Sequence, residues 1–240
     1  FLPTVRSPVS LAQSYAAQDW RFGQGCTSKP LKITLPGPLT ITDSVVDEHY
    51  SDARAFGVDL ATALNREVLA LADAGCRHIQ IDEPLFARKP ADALAFGLEN
   101  LERAFHGCPD HVTRTLHICC GYPDRLDNDN YPKADPGAYA MLADALDAST
   151  VNAVSIEDAH RPNDLGLLER FANTTVILGV IAVAKSRIES VDEVRDRLKM
   201  ALQHCPPERL IAAPDCGLGM LGRNLAMAKL KVLSEAARAA

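Results

Sequence analysis

A chain of 240 residues with 47% hydrophobic residues can bury one large core, and we expect a single domain over residues 1–240. The net charge of −6 at pH 7, without a Lys/Arg cluster, argues against a nucleic-acid-binding surface. No apolar run reaches the roughly 18 residues of a membrane span, and seven scattered cysteines are typical of a reducing compartment. We therefore expect a cytoplasmic protein that binds neither nucleic acid nor a membrane.

Six short runs rich in β-branched residues alternate with helical patterns along the chain. The predicted strands are 32–35, 78–82, 113–119, 153–157, 175–179 and 210–212. The predicted helices are 53–74, 91–105, 138–146, 165–171, 191–202 and a last one from 224 onward. Strand followed by helix, repeated, is typical of a parallel sheet, and we predict an α/β fold of the (β/α)8 TIM-barrel type.

A closed barrel needs eight strands, whereas the chain shows six, all within residues 31–240. Residues 1–30 form a leader with only weak strand signals. Either two strands are hidden in this leader or the chain is truncated. Because Phe1 is not a natural start residue, we expect the first strand or strands of the barrel to be lacking.

Four residues that can bind a metal lie where predicted strands end. His117 and Cys119 close the strand TRTLHIC, Glu157 closes AVSIE, and Cys216 follows RLIAA in the turn PDCGL. The carboxyl ends of parallel barrel strands meet at one mouth, so residues far apart in sequence can share a site there. Two thiolates, one imidazole and one carboxylate suit zinc. The sequence therefore predicts a zinc site.

Each of these residues, taken alone, has an ordinary structural explanation. An H-x-C pair can be a buried strand end, Glu157 can pair with Arg161, and Cys216 can be a small apolar core residue. Their shared position at strand ends favours the metal. Cys120 should point away from Cys119, because successive side chains of a strand alternate, and we do not expect it to be a ligand.

Further polar residues accompany these strand ends. Asp82 and Glu83 close HIQIDEP, where one carboxylate could bind a substrate ammonium group and Glu83 could instead cap a helix. The turn LPGPLT at 35–40 either faces an anion with its backbone N–H groups or is plain loop. His160 follows Glu157 closely enough to act around the metal.

These residues, in this order, resemble the catalytic barrel of cobalamin-independent methionine synthase. The resemblance runs through LKITLPGPLTI, HIQIDEP, LHICCGYPD, VSIEDAHR and ERLIAAPDCGL, over residues 31–220. It implies a TIM barrel, methyl transfer to the thiol of homocysteine, and zinc. The implied zinc ligands are His117, Cys119, Glu157 and Cys216. The resemblance also implies that Asp82 holds the amino group of homocysteine.

The chain departs from the long members of this family in two ways that concern the methyl donor. It lacks their additional N-terminal half and so resembles the short, core-only relatives. Ala182 and Ala184 stand where the long enzymes carry an aspartate and a histidine, and no tryptophan lies near residues 41–47 to stack on a folate. The sequence therefore leaves two alternatives for the methyl donor, which are methyltetrahydrofolate and some other methyl compound. His160 is the nearest candidate for the proton donor, and an accessory protein could complete the site.

Other functions remain open from the sequence. A thiol alkyltransferase of the epoxyalkane:coenzyme M type would also use zinc to activate a thiol, although Asp82 favours an ammonium over a sulfonate. A barrel subunit that binds zinc without catalysis is a further alternative. A metal-free barrel like uroporphyrinogen decarboxylase would leave the H-x-C and P-D-C-G motifs unexplained.

Overall fold

A computed structural model describes residues 2–240, which fall into two compact units. The first comprises Phe1–His117 and Ser149–Asn152, and the second comprises Ile118–Ala148 and Ala153–Ala240. The expected single domain over residues 1–240 stays a prediction.

The first unit carries five strands, all in parallel pairings, with helices between them. Its elements, in chain order, are β1 (Thr4–Val5), α1 (Ala16–Gly25), β2 (Ile33–Pro36), α2 (Pro38–Ser44), β3 (Val46–Asp47), α3 (Ala53–Asp73), β4 (His78–Asp82), α4 (Pro84–Arg88), α5 (Pro90–Asp92), a π-helical segment (Ala93–Gly97), α6 (Leu98–Phe105) and β5 (Thr113–Ile118). Strands β2, β4 and β5 pair in that order, and β1 pairs with β3.

The second unit repeats the alternation of strand and helix. Its elements are α7 (Ala138–Asp147), β6 (Ala153–Glu157), a 3-10 helix (Leu165–Arg170), β7 (Thr175–Ile181), α8 (Val191–Ala201), a 3-10 turn (Pro207–Arg209), β8 (Leu210–Pro214) and α9 (Arg223–Ala239). Strands β6, β7 and β8 are parallel and pair in that order.

In each unit, one face of the strands is apolar and buried. In the first unit, Leu35, Ile79, Ile81 and Leu116 are at most 1% exposed. In the second unit, Val154, Ile156, Val176 and Leu178 are buried to the same degree. The alternate positions point to the opposite face, where Gln80, Thr115 and Ser155 are buried polar residues. Asp82, His117 and Glu157 follow on that same face at the carboxyl ends of their strands, where they can form a site.

All six predicted strands are confirmed. The predicted helix 191–202 begins with a capping box. Ser190 accepts a hydrogen bond from the Glu193 backbone, and the Glu193 side chain accepts one from the Ser190 backbone, at the start of α8. The helix expected at 165–171 is a 3-10 helix of six residues, which is longer than most 3-10 runs. The leader contains β1 and α1, which had not been predicted.

No helix within residues 2–240 is both long enough and apolar enough to cross a lipid bilayer.

Candidate metal centre

Three of the four predicted metal ligands meet at one point. One ligand atom from each of His117, Cys119 and Cys216 lies within 4.8 Å of the other two. His117 and Cys119 are two residues apart at the end of β5, and Cys216 comes two residues after β8. His117 and Cys119 are buried, and Cys216 is partly exposed. An imidazole and two thiols at this spacing are suited to a single zinc ion.

Glu157, the fourth predicted ligand, ends β6 and is not a member of this three-residue group. Its side chain is fully buried, and within residues 2–240 neither carboxylate oxygen has a hydrogen-bonding partner. Burial raises the pKa of this carboxyl, and the charge of Asp215 raises it further. The charge of Lys133 offsets part of this effect. A cation at the site would stabilise the ionised carboxylate further.

The alternative partner for Glu157 is otherwise engaged. The Arg161 guanidinium donates to the Ala134 carbonyl and to the Cys120 sulfur, the latter at 2.6 Å. No ion pair joins Arg161 to Glu157 among the described residues 2–240. The simple explanation of Glu157 as a salt-bridge partner of Arg161 is therefore wrong.

The thiols themselves indicate that the site is built for a positive charge. Contact with Cys216 raises the pKa of the Cys119 thiol, and burial and the charge of Glu157 raise it further. Burial, Cys216 and Cys119 likewise raise the pKa of the Tyr122 phenol, whose hydroxyl is buried beside them. Ionised groups crowded together in a buried place destabilise one another. A divalent cation would reverse this repulsion, so the donor set fits zinc.

Cys120, predicted not to be a ligand, lies outside the group. Its sulfur contacts the Tyr139 hydroxyl at 3.3 Å, and that hydroxyl donates to the Ile118 carbonyl at 2.9 Å. Burial raises the pKa of the Cys120 thiol to about 11. None of the seven cysteines forms a disulfide in the described residues.

Asp82 lies beside His117, one of the candidate metal ligands. The two residues are register partners on the parallel strands β4 and β5, so their side chains leave the sheet on the same face. The Gln80 amide donates to the Asp82 carboxylate at 2.7 Å, and Lys32 contacts Gln80 in turn. These contacts place a carboxylate next to the candidate metal centre.

Glu83 has a structural role instead. Its buried carboxylate accepts hydrogen bonds from the backbone N–H groups of Leu39 and Thr40, at 2.9 and 2.8 Å, and from the Thr40 hydroxyl at 2.6 Å. These are orphan groups in the first turn of α2. The acidic group that the turn LPGPLT faces is therefore the Glu83 side chain. This arrangement disfavours the predicted role of Glu83 in substrate binding and matches the helix-capping alternative.

His160, predicted to act as a proton donor, is buried and has both ring nitrogens engaged. Nδ1 lies 2.6 Å from the Asp215 carboxylate, and Nε2 accepts the Ala184 N–H at 3.0 Å. Because Nε2 accepts a hydrogen bond, Nδ1 carries the ring proton and donates a hydrogen bond to the Asp215 carboxylate. A catalytic role for His160 stays a prediction that this geometry does not favour.

Two residues of the site were missed in the sequence. Asp215 directly precedes Cys216 and is fully buried, and Tyr122 follows Cys119 by three residues. The sequence did contain one indication that Asp215 belongs to the site, namely its place next to Cys216 in the tight turn Pro-Asp-Cys-Gly. For Tyr122, the motif GYPD gave no physical indication of its position.

Comparison with known proteins places the chain in a family. Residues 2–105 and 136–239 match the family described as "Cobalamin-independent synthase, Catalytic domain". The match includes Glu157 and Cys216 but leaves out the segment with His117 and Cys119.

Curated relatives point the same way. "Methionine synthase" of Pyrococcus horikoshii is 33% identical over 205 residues, which are 85% of this chain and 55% of the relative. "Methionine synthase" of Saccharolobus solfataricus is 28% identical over 97% of this chain and 65% of the relative. The chain thus spans little more than half the length of the first of these relatives.

The structures of relatives share the fold. A B12-independent methionine synthase from Shewanella sp. W3-18-1, in complex with selenomethionine, superposes with a TM-score of 0.90 at 31% identity, over 99% of this chain and 70% of that one. A putative vitamin-B12 independent methionine synthase from Listeria monocytogenes reaches 0.74 at 19% identity, over 99% and 73%. The chain has the α/β TIM-barrel type of fold and belongs to the catalytic-domain family of the cobalamin-independent synthases.

Proposed function

We propose that the chain transfers a methyl group to the thiol of homocysteine and so forms methionine, at a zinc ion held by His117, Cys119, Cys216 and Glu157. The observation that carries the proposal is the convergence of an imidazole and two thiols within 4.8 Å, beside a buried carboxylate without a partner. Relatives named methionine synthase support the same activity.

The acceptor must be a thiolate to attack a methyl carbon. When bound, zinc would keep the acceptor sulfur in this form at neutral pH, where a thiol with a pKa of about 8.5 is mostly protonated. The sulfur then forms a bond to the methyl carbon, while the donor atom leaves with the bonding electron pair. Positioning of the two reactants in line contributes to the rate.

Asp82 provides the second recognition element for homocysteine. Its carboxylate lies on the same face of the sheet as His117, so it can bind the ammonium group of an amino acid whose sulfur points to the metal ligands. A sulfonate thiol would meet a like charge there. This disfavours the epoxyalkane:coenzyme M type of transfer.

The donor is the less defined substrate. Ala182 and Ala184 are both buried and carry no proton to donate, and His160 is held between Asp215 and Ala184. General acid catalysis is commonly worth about 10²–10⁴-fold for a poor leaving group such as the N5 atom of a folate. We therefore propose that methyltetrahydrofolate alone is a slow donor. A more activated methyl compound, or an accessory protein, would be needed for fast turnover.

The test is methionine formation, measured by mass spectrometry with an isotopically labelled methyl donor. Zinc-loaded protein, homocysteine and a donor should give labelled methionine, and Cys216→Ser should abolish it while Cys120→Ser retains it. With methyltetrahydrofolate as sole donor and no partner present, we expect turnover well below the median enzyme rate of about 10 s⁻¹. Zinc binding without methionine from any donor would instead favour a non-catalytic zinc-binding barrel.

A further inference from the structure

A fully buried carboxylate joins two loops that carry proposed metal ligands. Asp215, immediately before Cys216, accepts hydrogen bonds from three consecutive backbone N–H groups, those of Asp158, Ala159 and His160, at 3.0, 2.9 and 2.8 Å. These N–H groups begin directly after Glu157. The Asp215 side chain therefore connects the loop after β6 to the turn after β8. At one end, Asp158 directly follows the proposed ligand Glu157. At the other end, Asp215 directly precedes the proposed ligand Cys216.

His160 extends this connection to a third loop. Its Nδ1–H donates to Asp215 at 2.6 Å, and its Nε2 accepts the Ala184 N–H at 3.0 Å in the loop after β7. The His160 side chain is only 3% exposed and the Asp215 side chain is not exposed at all. Charge-assisted hydrogen bonds in such a dry place are stronger than neutral ones at a surface.

The backbone makes room for this arrangement at one glycine. A Cβ atom added to Gly179 on β7 would lie 2.4 Å from the Asp215 carboxylate and 2.6 Å from the Asp215 Cα. Both distances are shorter than real atoms tolerate. The pairing of β7 and β8 also shifts register between Gly179 and Ile181. The close approach of Asp215 to β7 thus depends on a residue without a side chain.

We propose that Asp215 and His160 are positioning residues that set the separation of Glu157 and Cys216, and thereby the metal affinity of the site. This inference rests on the metal centre of the proposed function. Neither residue is a ligand. Groups that orient metal ligands through hydrogen bonds typically change metal affinity by about 10–100-fold when they are removed.

The test substitution is Asp215→Asn. Its amide nitrogen cannot accept hydrogen bonds, so part of the contact with the three backbone N–H groups is lost. Asp147→Asn is the matched control. Asp147 also accepts two consecutive backbone N–H groups, those of Asn173 and Thr174, but at the start of β7 and away from the ligands. Zinc affinity is measured by competition with a chromophoric chelator. The sulfur-to-metal absorption bands of the cobalt(II)-loaded protein report the ligand geometry. Asp215→Asn should bind zinc about 10–100-fold more weakly, with shifted cobalt bands, while Asp147→Asn should match the wild type in both.

The milder substitution His160→Gln tests the proposal if Asp215→Asn does not fold. His160→Gln retains the three backbone hydrogen bonds of Asp215 and should weaken zinc binding and shift the cobalt bands in the same direction, to a smaller degree. Wild-type affinity and wild-type spectra in every variant that folds would overturn the positioning role. Failure of the wild-type protein to bind zinc would refute the metal centre itself, which is a distinguishable result.

Discussion

Two adjacent carboxylates at the end of β4 have different neighbours and therefore different roles. Asp82 lies beside His117 across the sheet, whereas Glu83 is buried against the first turn of α2. Successive residues at a strand end point to opposite sides, which separates the two side chains. The sequence placed both at the mouth of a barrel but could not assign them, because the assignment depends on α2, a short helix that the sequence did not predict.

Asp82→Asn should weaken homocysteine binding more than zinc binding. A charge-assisted hydrogen bond to an ammonium group is worth about 1.5–3 kcal/mol, whereas Asp82 is not one of the proposed ligands. Calorimetric titration of the zinc-loaded proteins with homocysteine measures the difference. If wild type and variant bind homocysteine equally well, the amino-group role of Asp82 is untenable, and an acceptor thiol without an ammonium becomes the better proposal.

Glu83 should make stability depend on pH near neutrality. Burial raises its pKa from 4.5 to about 7, against the hydrogen bonds from Thr40 and Leu39. The folded chain therefore holds a proton that the unfolded chain has already lost. This contribution to stability is fully present below about pH 4.5 and is lost as the pH rises through about 7.

Glu83→Gln removes that ionisation while it keeps the shape of the side chain. Relative to wild type, the free energy of unfolding of the variant should rise by on the order of 3 kcal/mol between pH 4 and 8. Urea titrations of both proteins across this range provide the measurement. A difference between the two proteins that does not change with pH would show that Glu83 has no raised pKa.

At the scale of elements, the strands were predicted well because each is a short apolar run with clear boundaries. Strands β4 and β6 have the predicted bounds, and β5 ends one residue earlier than predicted. Helices were less certain where tertiary contacts decide them. In α1, only Ala16, Ala17 and Trp20 are buried, and most of its other residues are polar or glycine, so its sequence gives a weak apolar signal. The predicted helix 91–105 is divided into α5, a π-helical segment and α6, which the residue pattern did not indicate.

The junction between β2 and α2 depends on a glycine for steric reasons. Gly37 has an ordinary φ of −83°, but a Cβ atom there would lie 2.2 Å from the Glu83 carboxyl group. Gly37→Ala should therefore displace Glu83 from the helix terminus and destabilise the protein by about 1–3 kcal/mol.

Gly25→Ala is the matched control for this substitution. Gly25 lies in α1 with open space around its added Cβ, so the change should be neutral or stabilising by up to about 1 kcal/mol. Urea midpoints compare the two variants. Equal midpoints for Gly37→Ala and wild type would contradict the contact between Gly37 and Glu83.

At the scale of the whole molecule, strand ends were sufficient to predict that His117, Cys119 and Cys216 lie close together. Cys216 is about a hundred positions from His117 and Cys119 along the chain, yet its ligand atom lies within 4.8 Å of theirs. This follows from parallel strands, whose carboxyl ends share one side. Glu157 is buried as expected, but it is not part of the three-residue group. The role of Asp215 could not be predicted from the sequence, because its hydrogen-bond partners lie more than fifty residues away, on a loop that only folding brings near.

The metal content of the purified protein shows whether the chain binds zinc through His117, Cys119, Glu157 and Cys216. Elemental analysis by mass spectrometry should find about one zinc per chain in the wild type, and Cys216→Ser or His117→Ala should lose most of it, since each ligand supplies a large share of the binding free energy. Cys120→Ser, next to a ligand but outside the group, should keep its zinc. Full zinc content in both ligand variants would contradict the account.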